Sequence, residues 1–445
     1  MIGIRPDSEI LMSQHQIVNF ESERAFLVGA MVKGEHPLLS TDDSLTELGL
    51  LADTAGMQVV GQASQQVSRI DPATFIGSGK LDEIRDQLTQ LDAKVVIFDD
   101  ELSPRHQREL EKRFGENIKL LDRSALILDI FAQHAHTREG ALQVELAQYE
   151  YRLPRLTRQW THLARQAGGG GARGGSAGVG LRGPGETQLE VDRREISRKI
   201  TKLKRDLEQV RAHRGRYRAQ RTRTRIPVVS VVGYTNAGKS TLFRALTGSE
   251  VYIADQLFAT LDPTTRRITL PSGRHMLLTD TVGFIQKLPT TLIAAFRATL
   301  EEVIEADVIL HVVDAAHPNV IQHIDAVDQT LAELEMPDVP HILVWNKMDL
   351  VQDPPELVDL EDFVGEAHVS ALRKTGLDEL LAIIEEALAH ADYTITMQLP
   401  YERGDLVSYL HEKATVESTE HTADGIVITA RLTPELFDRY KDYQV

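Results

Sequence analysis

Residues 233–240 read Gly-Tyr-Thr-Asn-Ala-Gly-Lys-Ser, a G-x-x-x-x-G-K-S pattern between the apolar run 227–232 and the helical pattern 241–246. In such a strand–loop–helix unit the glycines let successive backbone N–H groups point at phosphate oxygens, and the helix adds its positive N-terminal end. The pattern therefore predicts an α/β fold with a phosphate-binding loop. The residues expected to line it are Gly233, Tyr234, Thr235, Asn236, Ala237, Gly238, Lys239, Ser240 and Thr241.

Two further groups are expected to act on the phosphates. Lys239 should reach the β and γ oxygens, and Ser240 should offer its hydroxyl to Mg²⁺. Forty residues after Ser240, the strand-like run 276–279 ends in a D-x-x-G pattern formed by Asp280, Thr281, Val282 and Gly283. The aspartate is expected to hold Mg²⁺ through water, and the Gly283 amide to contact the γ-phosphate.

A threonine between the two motifs should complete the magnesium site. We choose Thr260, because residues 258–263 (Phe-Ala-Thr-Leu-Asp-Pro) resemble the switch segments of Obg-like GTPases. Thr264 and Thr265 stay open as alternatives. The predicted metal ligands are thus Ser240, Thr260 and Asp280, and the predicted catalytic residues are Lys239, Thr260 and Gly283.

Base selection is predicted from a second strand with a polar end. Residues 341–345 (His-Ile-Leu-Val-Trp) read as a strand and lead into Asn346, Lys347, Met348 and Asp349. The Asp349 carboxylate can accept from guanine N1–H and the exocyclic amine, whereas adenine would leave it unpaired, a mismatch that discriminates by about 10⁴–10⁵. Lys347 would pack on the base plane, Asn346 would brace the loop, and a backbone N–H for guanine O6 would come from Ser370, Ala371 and Leu372.

Two positions bear on the rate of hydrolysis. Many small GTPases carry a glutamine after D-x-x-G to orient the attacking water, but this chain has Phe284, which makes no hydrogen bond. Slow hydrolysis is expected unless a partner or another group, such as nearby Gln286, positions the water. Asn236 resembles the asparagine by which some GTPases bind K⁺ beside the phosphates; the alternative is an ordinary loop residue.

The chain divides by pattern into four domains. Residues 1–141 alternate strand and helix patterns, with strands expected at 24–32, 58–61 and 95–98 and helices at 45–52, 81–91 and 105–114, the last capped by Ser103. This rhythm predicts a mostly parallel α/β layer. The other expected domains are a basic helical hairpin (142–225), a P-loop GTPase domain (226–391) and a small α+β domain (392–445).

The hairpin is predicted from two heptad runs on either side of a glycine-rich loop, residues 168–185. Leu142, Leu146, Tyr149, Leu153, Leu156, Trp160 and Leu163 form the first run; Leu189, Ile196, Ile200, Leu203, Leu207 and Val210 form the second. Such spacing is typical of two antiparallel helices packed along one seam, and Pro154 should interrupt the first.

The hairpin region is basic in an acidic protein. Residues 152–225 carry 20 Lys and Arg against 6 Asp and Glu, although the whole chain has a net charge of −17. Basic stretches of this kind favour phosphate backbones, so the loop with Arg173 and Arg182 is expected to contact RNA. The alternatives are a solvated helix surface and a flexible linker.

Composition excludes some chemistry. The chain has no cysteine, which excludes disulfides, thiolate catalysis and cysteine-ligated metal centres. No apolar run approaches the roughly 20 residues of a membrane span, so we expect a cytoplasmic protein, with peripheral membrane contact left open. We expect a monomer, although no sequence feature fixes the oligomeric state.

Several motifs together are similar to the HflX family of GTPases. They are Gly183-Pro-Gly-Glu-Thr-Gln-Leu-Glu190, the glycine-rich run before it, the phosphate loop, Leu261–Arg266 and Asp280–Phe284. The resemblance implies a factor that binds the large ribosomal subunit and splits or rescues stalled ribosomes under stress. It also implies a second nucleotide site near Ile76–Lys80, although a glycine turn opening a helix explains that segment equally well. Two other functions stay open: a protein-binding GTP switch, and an RNA-remodelling NTPase that uses ATP.

Overall fold

The structure is a computed structural model. It describes residues 22–35, 37–156, 188–224, 226–248, 257–258, 260, 263–288, 303–334, 339–352, 363–390, 393–422, 425–432 and 434–445. The glycine-rich loop, with Arg173 and Arg182, and the N-terminal 21 residues lie outside these ranges.

The N-terminal part is a parallel α/β layer, as the strand and helix patterns predicted. Its sheet has the order β2-β1-β3-β4, and every neighbouring pair is parallel. The strands are β1 (Arg24–Val32), β2 (Gln58–Val67), β3 (Val95–Phe98) and β4 (Lys119–Asp122). The helices are α1 (Thr41–Thr54), α2 (Ser78–Gln90), α3 (Pro104–Phe114) and α4 (Arg123–His134).

Local capping explains where these helices begin. The Ser103 hydroxyl accepts from the His106 amide at 3.2 Å and Pro104 occupies the first turn of α3, which confirms the predicted cap. Asp122 caps α4 in the same way, accepting from the Ala125 amide at 2.8 Å. Helix α2 begins at Ser78, so the glycine turn around Gly77 opens a helix.

The two heptad runs pack against each other. Helix α5 (Arg138–Arg152) ends in a 3₁₀ turn, Leu153–Arg155, so Pro154 interrupts the helix as predicted. Helix α6 spans Gln188–Thr224. One apolar cluster joins the two helices: Leu142, Leu146, Tyr149, Leu153, Ile196, Ile200, Leu203 and Leu207. Leu156 is described but lies outside this cluster, and the other predicted seam residues of the first run, Trp160 and Leu163, lie outside the described residues.

A second sheet follows, with the order β10-β9-β8-β5-β7-β6. All neighbours are parallel except β6, which is antiparallel to β7 at one edge. The strands are β5 (Val228–Gly233), β6 (Thr264–Thr269), β7 (His275–Asp280), β8 (Val308–Asp314), β9 (His341–Asn346) and β10 (Gly365–His368); the helices are α7 (Lys239–Thr247), α8 (Val320–Glu333) and α9 (Leu377–His390). Because β5, β7, β8 and β9 run the same way, the polar motifs at their carboxyl ends meet at one sheet edge.

The N-terminal layer packs directly on this second unit. One apolar core contains residues of both, and the rings of Phe131 on α4 and Phe258 lie 4.6 Å apart in an edge-on contact. The Leu257 amide donates to the Thr54 hydroxyl of α1 at 3.3 Å. Phe258 lies two residues before Thr260, so this contact reaches the segment predicted to carry a magnesium ligand.

The C-terminal part is a small α+β unit. Its three-stranded antiparallel sheet has the order β11-β13-β12. The elements are β11 (Tyr393–Leu399), α10 (Gly404–Lys413), β12 (Thr415–Thr422), β13 (Gly425–Leu432) and α11 (Pro434–Tyr440). Across the described residues of the chain, no helix has both the length and the apolarity to span a bilayer.

Candidate functional site

The phosphate loop connects β5 to α7 at the centre of the second sheet. Its bounding glycines, Gly233 and Gly238, have φ of 149° and 91°, values that favour glycine. A side chain at Gly238 would also meet the Asn346 amide nitrogen at 2.2 Å, and one at Gly233 the Val312 carbonyl oxygen at 2.2 Å. Close approach of neighbouring strands therefore requires both glycines.

Lys239 is buried at the start of α7 and faces back into the loop. Its ammonium donates to the Gly233 carbonyl at 3.0 Å and to the Tyr234 carbonyl at 2.7 Å. Since an ammonium has three protons, these bonds leave one for a phosphate oxygen. Burial lowers the pKa of Lys239 to about 8, against the opposing effect of the Asp280 carboxylate. A bound phosphate would favour the charged form.

Three oxygen-bearing side chains from three segments meet beside the loop. The Ser240 and Thr260 hydroxyl oxygens are 2.8 Å apart, and the Thr260 hydroxyl donates to Asp280 Oδ2 at 3.3 Å. Oxygens at adjacent corners of a Mg²⁺ octahedron are about 2.9 Å apart, given its 2.0–2.1 Å bonds. Asp280 Oδ1 is buried and has no hydrogen-bond partner among the described residues. These donors fit a magnesium ion.

The alternative threonines lie elsewhere on the sheet. Thr264 and Thr265 both belong to β6. The Thr265 hydroxyl pairs with the Thr279 hydroxyl at 3.0 Å, and Thr264 lies opposite Asp280 in the strand register. Of the three candidates, Thr260 is the one whose hydroxyl contacts both Ser240 and Asp280.

The D-x-x-G segment lies against the phosphate loop. The Thr281 hydroxyl donates to the Val231 carbonyl at 2.6 Å, which fixes the end of β7 to β5. A side chain at Gly283 would come within 3.0 Å of Thr235 Cα and 3.1 Å of Lys239 Nζ. Gly283 therefore lies where its amide can face a phosphate held by Lys239.

Phe284 continues this contact through its backbone. Its amide donates to the Gly233 carbonyl at 3.1 Å, and its carbonyl accepts from the Thr235 amide at 2.7 Å. The aromatic side chain is 1% exposed and belongs to the shared core. Phe284 thus anchors the segment and does not supply a polar group for water.

Asn346 connects three parts of the base site. Its side-chain amide donates to the Ala237 carbonyl at 2.9 Å and accepts from the Ala371 amide at 3.0 Å. This is the bracing role predicted for it. The Met348 amide donates to the Val369 carbonyl at 3.2 Å, which ties the two base loops together.

Asp349 is held as an ionised acceptor. Its Oδ1 accepts from the Ser370 hydroxyl at 2.7 Å, and Arg373 Nε lies 3.5 Å from its Oδ2. The Ser370 hydrogen bond is the main cause of the lowered pKa of Asp349. A carboxylate of this kind suits the two donors of guanine. Leu372, beyond Ala371, is exposed.

Sequence reasoning missed two supporting residues. Asp314, at the end of β8, pairs with Lys347 at 2.7 Å and so positions the side chain expected on the base plane. The same rule of polar residues at strand ends would have found it. Tyr234 was included only as part of the loop, but its hydroxyl contacts Glu47 of the N-terminal layer. No local pattern indicates a contact between residues 187 positions apart.

Comparison with known proteins places the chain among GTPases. Four family models match successive parts of the chain: "GTP-binding GTPase N-terminal" (42–132), "GTP-binding GTPase Middle Region" (134–221), "50S ribosome-binding GTPase" (228–347) and "HflX C-terminal domain" (363–439).

Full-length relatives show the same similarity. "GTPase HflX" of Caldanaerobacter subterraneus subsp. tengcongensis is 43% identical over 423 residues, which are 95% of this chain and 94% of the relative. "GTPase HflX" of Escherichia coli is 42% identical over 387 residues, 86% of this chain and 88% of its own. A solved structure, "crystal structure of SsGBP and GDP complex", aligns with 83% of this chain and 99% of its own at 23% identity, with a TM-score of 0.46.

Proposed function

This chain belongs to the HflX family of GTPases, and from that premise we propose that it is a cytoplasmic, monomeric factor that couples GTP hydrolysis to binding of the large ribosomal subunit. The relatives' name, GTPase HflX, and the P-loop domain establish GTP binding and hydrolysis. The proposal adds the partner and the purpose, which is to split or rescue stalled ribosomes under stress.

The connection between the basic hairpin and the nucleotide site carries the proposal. Helix α6 ends at Thr224, and β5, which leads into the phosphate loop, begins at Val228. Because this connection is short, we infer that a movement of the hairpin on its partner also moves the strand that carries Gly233. The family that matches residues 228–347, "50S ribosome-binding GTPase", supports the same partner.

Between residues 190 and 210, where its side chains are described, α6 presents seven basic side chains to solvent. They are Arg193, Arg194, Arg198, Lys199, Lys202, Lys204 and Arg205. Two of them reach the other helix: Lys204 pairs with Glu150 at 2.8 Å, and the Lys199 ammonium donates to the Tyr149 hydroxyl at 3.1 Å. Arg205 Nε lies 3.9 Å from Asp206 Oδ1 on the same helix. Exposed guanidinium and ammonium groups of this kind suit a phosphate backbone.

At the nucleotide site we assign Mg²⁺ to Ser240, Thr260 and Asp280. The ion would neutralise charge on the β and γ phosphates. Lys239 then donates a hydrogen bond from its remaining N–H to a phosphate oxygen, and the Gly283 amide faces the γ-phosphate. Asp349, supported by Asn346 and Lys347, holds guanine. Phe284 gives the attacking water no partner, so basal hydrolysis is slow and the ribosomal subunit raises it.

We also assign K⁺ to the outer side of the phosphate loop at Asn236. This residue is exposed and has φ of 59°, so it marks a sharp turn beside the phosphates. A cation there stabilises the charge that develops during hydrolysis. Turnover that is equal in potassium and sodium buffers would exclude this assignment.

We assign no second nucleotide to the N-terminal layer, because polar groups of its glycine turn already have partners within the layer. Near Ile76–Lys80, the Gly77 amide already donates to the Gln65 side chain at 2.8 Å. Lys80 pairs with Glu83 at 2.9 Å. These contacts belong to a turn that opens α2.

Cosedimentation with purified large subunits over a salt series tests the ribosome partner. Replacing Arg173 and Arg182 by Ala should weaken binding and flatten its salt dependence, because each phosphate contact contributes to the salt slope. Unchanged binding would refute the role of the loop. Capture of a protein that survives RNase treatment would instead favour a protein-binding switch.

A further inference from the structure

Tyr234, the second residue of the phosphate loop, points its side chain into the contact with the N-terminal layer. Its hydroxyl donates to the Glu47 carboxylate on α1 and accepts from the Gln286 amide at 2.9 Å. Its ring stacks on His323 of α8, with centroids 3.8 Å apart and planes 4° apart. The side chain is 4% exposed, so both hydrogen bonds lie out of water.

Glu47 continues a chain of charged hydrogen bonds through the N-terminal layer. Its other oxygen pairs with Arg123 at the start of α4, and Arg123 Nη1 donates to Asp99 Oδ1 at 2.8 Å. Asp99 Oδ2 accepts from Lys287 Nζ at 2.6 Å. Lys287 also reaches Asp100 at 2.6 Å.

These contacts close a ring. It runs from Tyr234 through Glu47, Arg123 and Asp99 to Lys287, and it returns because Lys287 follows Gln286, whose amide is bonded to Tyr234. Two consecutive residues that follow the D-x-x-G segment are thus held by different parts of the molecule. Gln286 is bonded to the phosphate loop, and Lys287 is bonded to the N-terminal layer. Lys287 has φ of 55°, which is unfavourable for a residue with a side chain and so needs such support.

The ring is buried at the Tyr234–Glu47 crossing and inside the N-terminal layer, whereas the Lys287 side chain at the second crossing is 30% exposed. Arg123 is 1% exposed and Asp99 is 3% exposed. Burial raises the pKa of Tyr234 to about 12, so the hydroxyl stays protonated and can donate its hydrogen bond to Glu47. Hydrogen bonds between charged and neutral groups in such surroundings are stronger than those in water, so movement at one member is resisted by the others.

We propose that Tyr234 is a positioning residue for GTP hydrolysis: its hydroxyl joins the N-terminal layer to residues 284–287 and thereby fixes the Gly283 amide over the phosphates. The bonds from Phe284 to Gly233 and Thr235 complete the attachment. The magnesium-type oxygens are assembled in the same conformation. The ring therefore supports an arrangement ready for the reaction, and its loss lowers turnover while leaving the base and phosphate contacts in place.

The test is Tyr234→Phe in the full-length chain. Phenylalanine keeps the stack on His323 and removes both hydroxyl bonds. We expect kcat for GTP to fall about tenfold, which corresponds to loss of the hydrogen bond to the charged Glu47 carboxylate. KM for GTP and the affinity for GDP should stay within about twofold of the wild type. Glu47→Gln should lower kcat similarly, and the double variant should be no slower than the slower single variant, because the residues act in one chain.

Tyr151→Phe is the matched control. It also removes a buried hydroxyl that donates to a carboxylate, in this case Asp122 of the N-terminal layer at 2.8 Å. Neither residue belongs to the ring. Tyr151→Phe should lower the melting temperature at least as much as Tyr234→Phe does, and it should leave kcat unchanged. The proposal is overturned if Tyr234→Phe keeps wild-type kcat, if Tyr151→Phe loses as much, or if the effects of Tyr234→Phe and Glu47→Gln multiply.

Discussion

The hydroxyl oxygens of Ser240 and Thr260 lie 2.8 Å apart, although they belong to different segments of the chain. Ser240 is fixed by α7, and Thr260 follows Leu257 and Phe258, both buried in the core shared with the N-terminal layer. Packing of the N-terminal layer therefore contributes to the position of Thr260, the proposed magnesium ligand. Thr260 and the phosphate loop are both connected to that layer, the first by apolar packing and the second by Tyr234.

Removal of the Thr260 hydroxyl should impair hydrolysis specifically. Thr260→Ala deletes one of three oxygens, so we expect kcat to fall about a hundredfold, as for loss of one charge-stabilising group at a reacting phosphate. The magnesium concentration needed for half-maximal turnover should rise. Thr264→Ala, on β6, is the control and should stay within about twofold. A larger loss in Thr264→Ala than in Thr260→Ala would move the ligand assignment to β6.

Base specificity should follow the Asp349 carboxylate. Asp349→Asn places an amide N–H₂ against the guanine amine, so GTP affinity should drop by at least about a thousandfold. Xanthosine triphosphate, whose 2-oxo group accepts a hydrogen bond, should then bind better than GTP. Titration with labelled nucleotides measures both. Asp378→Asn, exposed at the start of α9, should change neither; retention of GTP preference by Asp349→Asn would refute the base assignment.

Acid stability should depend on His311 in β8. This side chain is fully buried, and neither ring nitrogen makes a hydrogen bond among the described residues. Asp328 Oδ1 lies 3.5 Å from its Nδ1, but burial lowers the pKa of His311 to about 3. The unfolded chain binds a proton below pH 6.5, but the folded chain does not. The free energy of unfolding should therefore be undiminished above pH 6.5 and fall as pH drops toward 3, by about 1.4 kcal/mol per pH unit from this residue.

His311→Phe should reduce that slope, since phenylalanine fills similar space and takes up no proton. Urea unfolding between pH 7 and pH 4 measures the difference. His421→Gln, at an exposed position in β12, serves as the control. Equal acid slopes for His311→Phe and the wild type would show that His311 does not contribute.

The hairpin seam should matter for partner binding and not for the nucleotide. Leu203 is buried between α5 and α6, so Leu203→Ala should destabilise the pair by about 2–5 kcal/mol. Affinity for large subunits should fall several-fold while GDP affinity is kept. Thr201→Ala, exposed on the same helix, should bind like the wild type. Normal subunit binding by Leu203→Ala would contradict a need for a rigid hairpin.

Local patterns predicted much of the fold. Strands 24–32 and 95–98 were expected at the observed bounds, because each is an apolar run between clear breakers. Helix lengths were less accurate: α1 begins at Thr41, four residues before the expected start, since Ser40 and not the first leucine sets the cap. Strand β4 and helix α4 were not assigned.

The structure brings the predicted nucleotide-site residues to one sheet edge, because they follow strand ends in a known chain order. The ring through Tyr234 was not predictable, because Glu47, Asp99 and Arg123 acquire their meaning only when the N-terminal layer meets the second sheet. The buried pair of Asp99 and Arg123 joins β3 and α4 within one layer, and its contact with Lys287 spans 188 positions. Periodicity carries no information on such docking.

GTP turnover by the full-length chain, with and without saturating large ribosomal subunits in potassium buffer, tests the central claim most directly. Slow turnover alone and a rise of at least about tenfold with subunits are expected, since a partner must supply what Phe284 lacks. Arg173 and Arg182 to Ala should reduce the rise without changing the basal rate. Turnover that is the same with and without subunits would contradict the account.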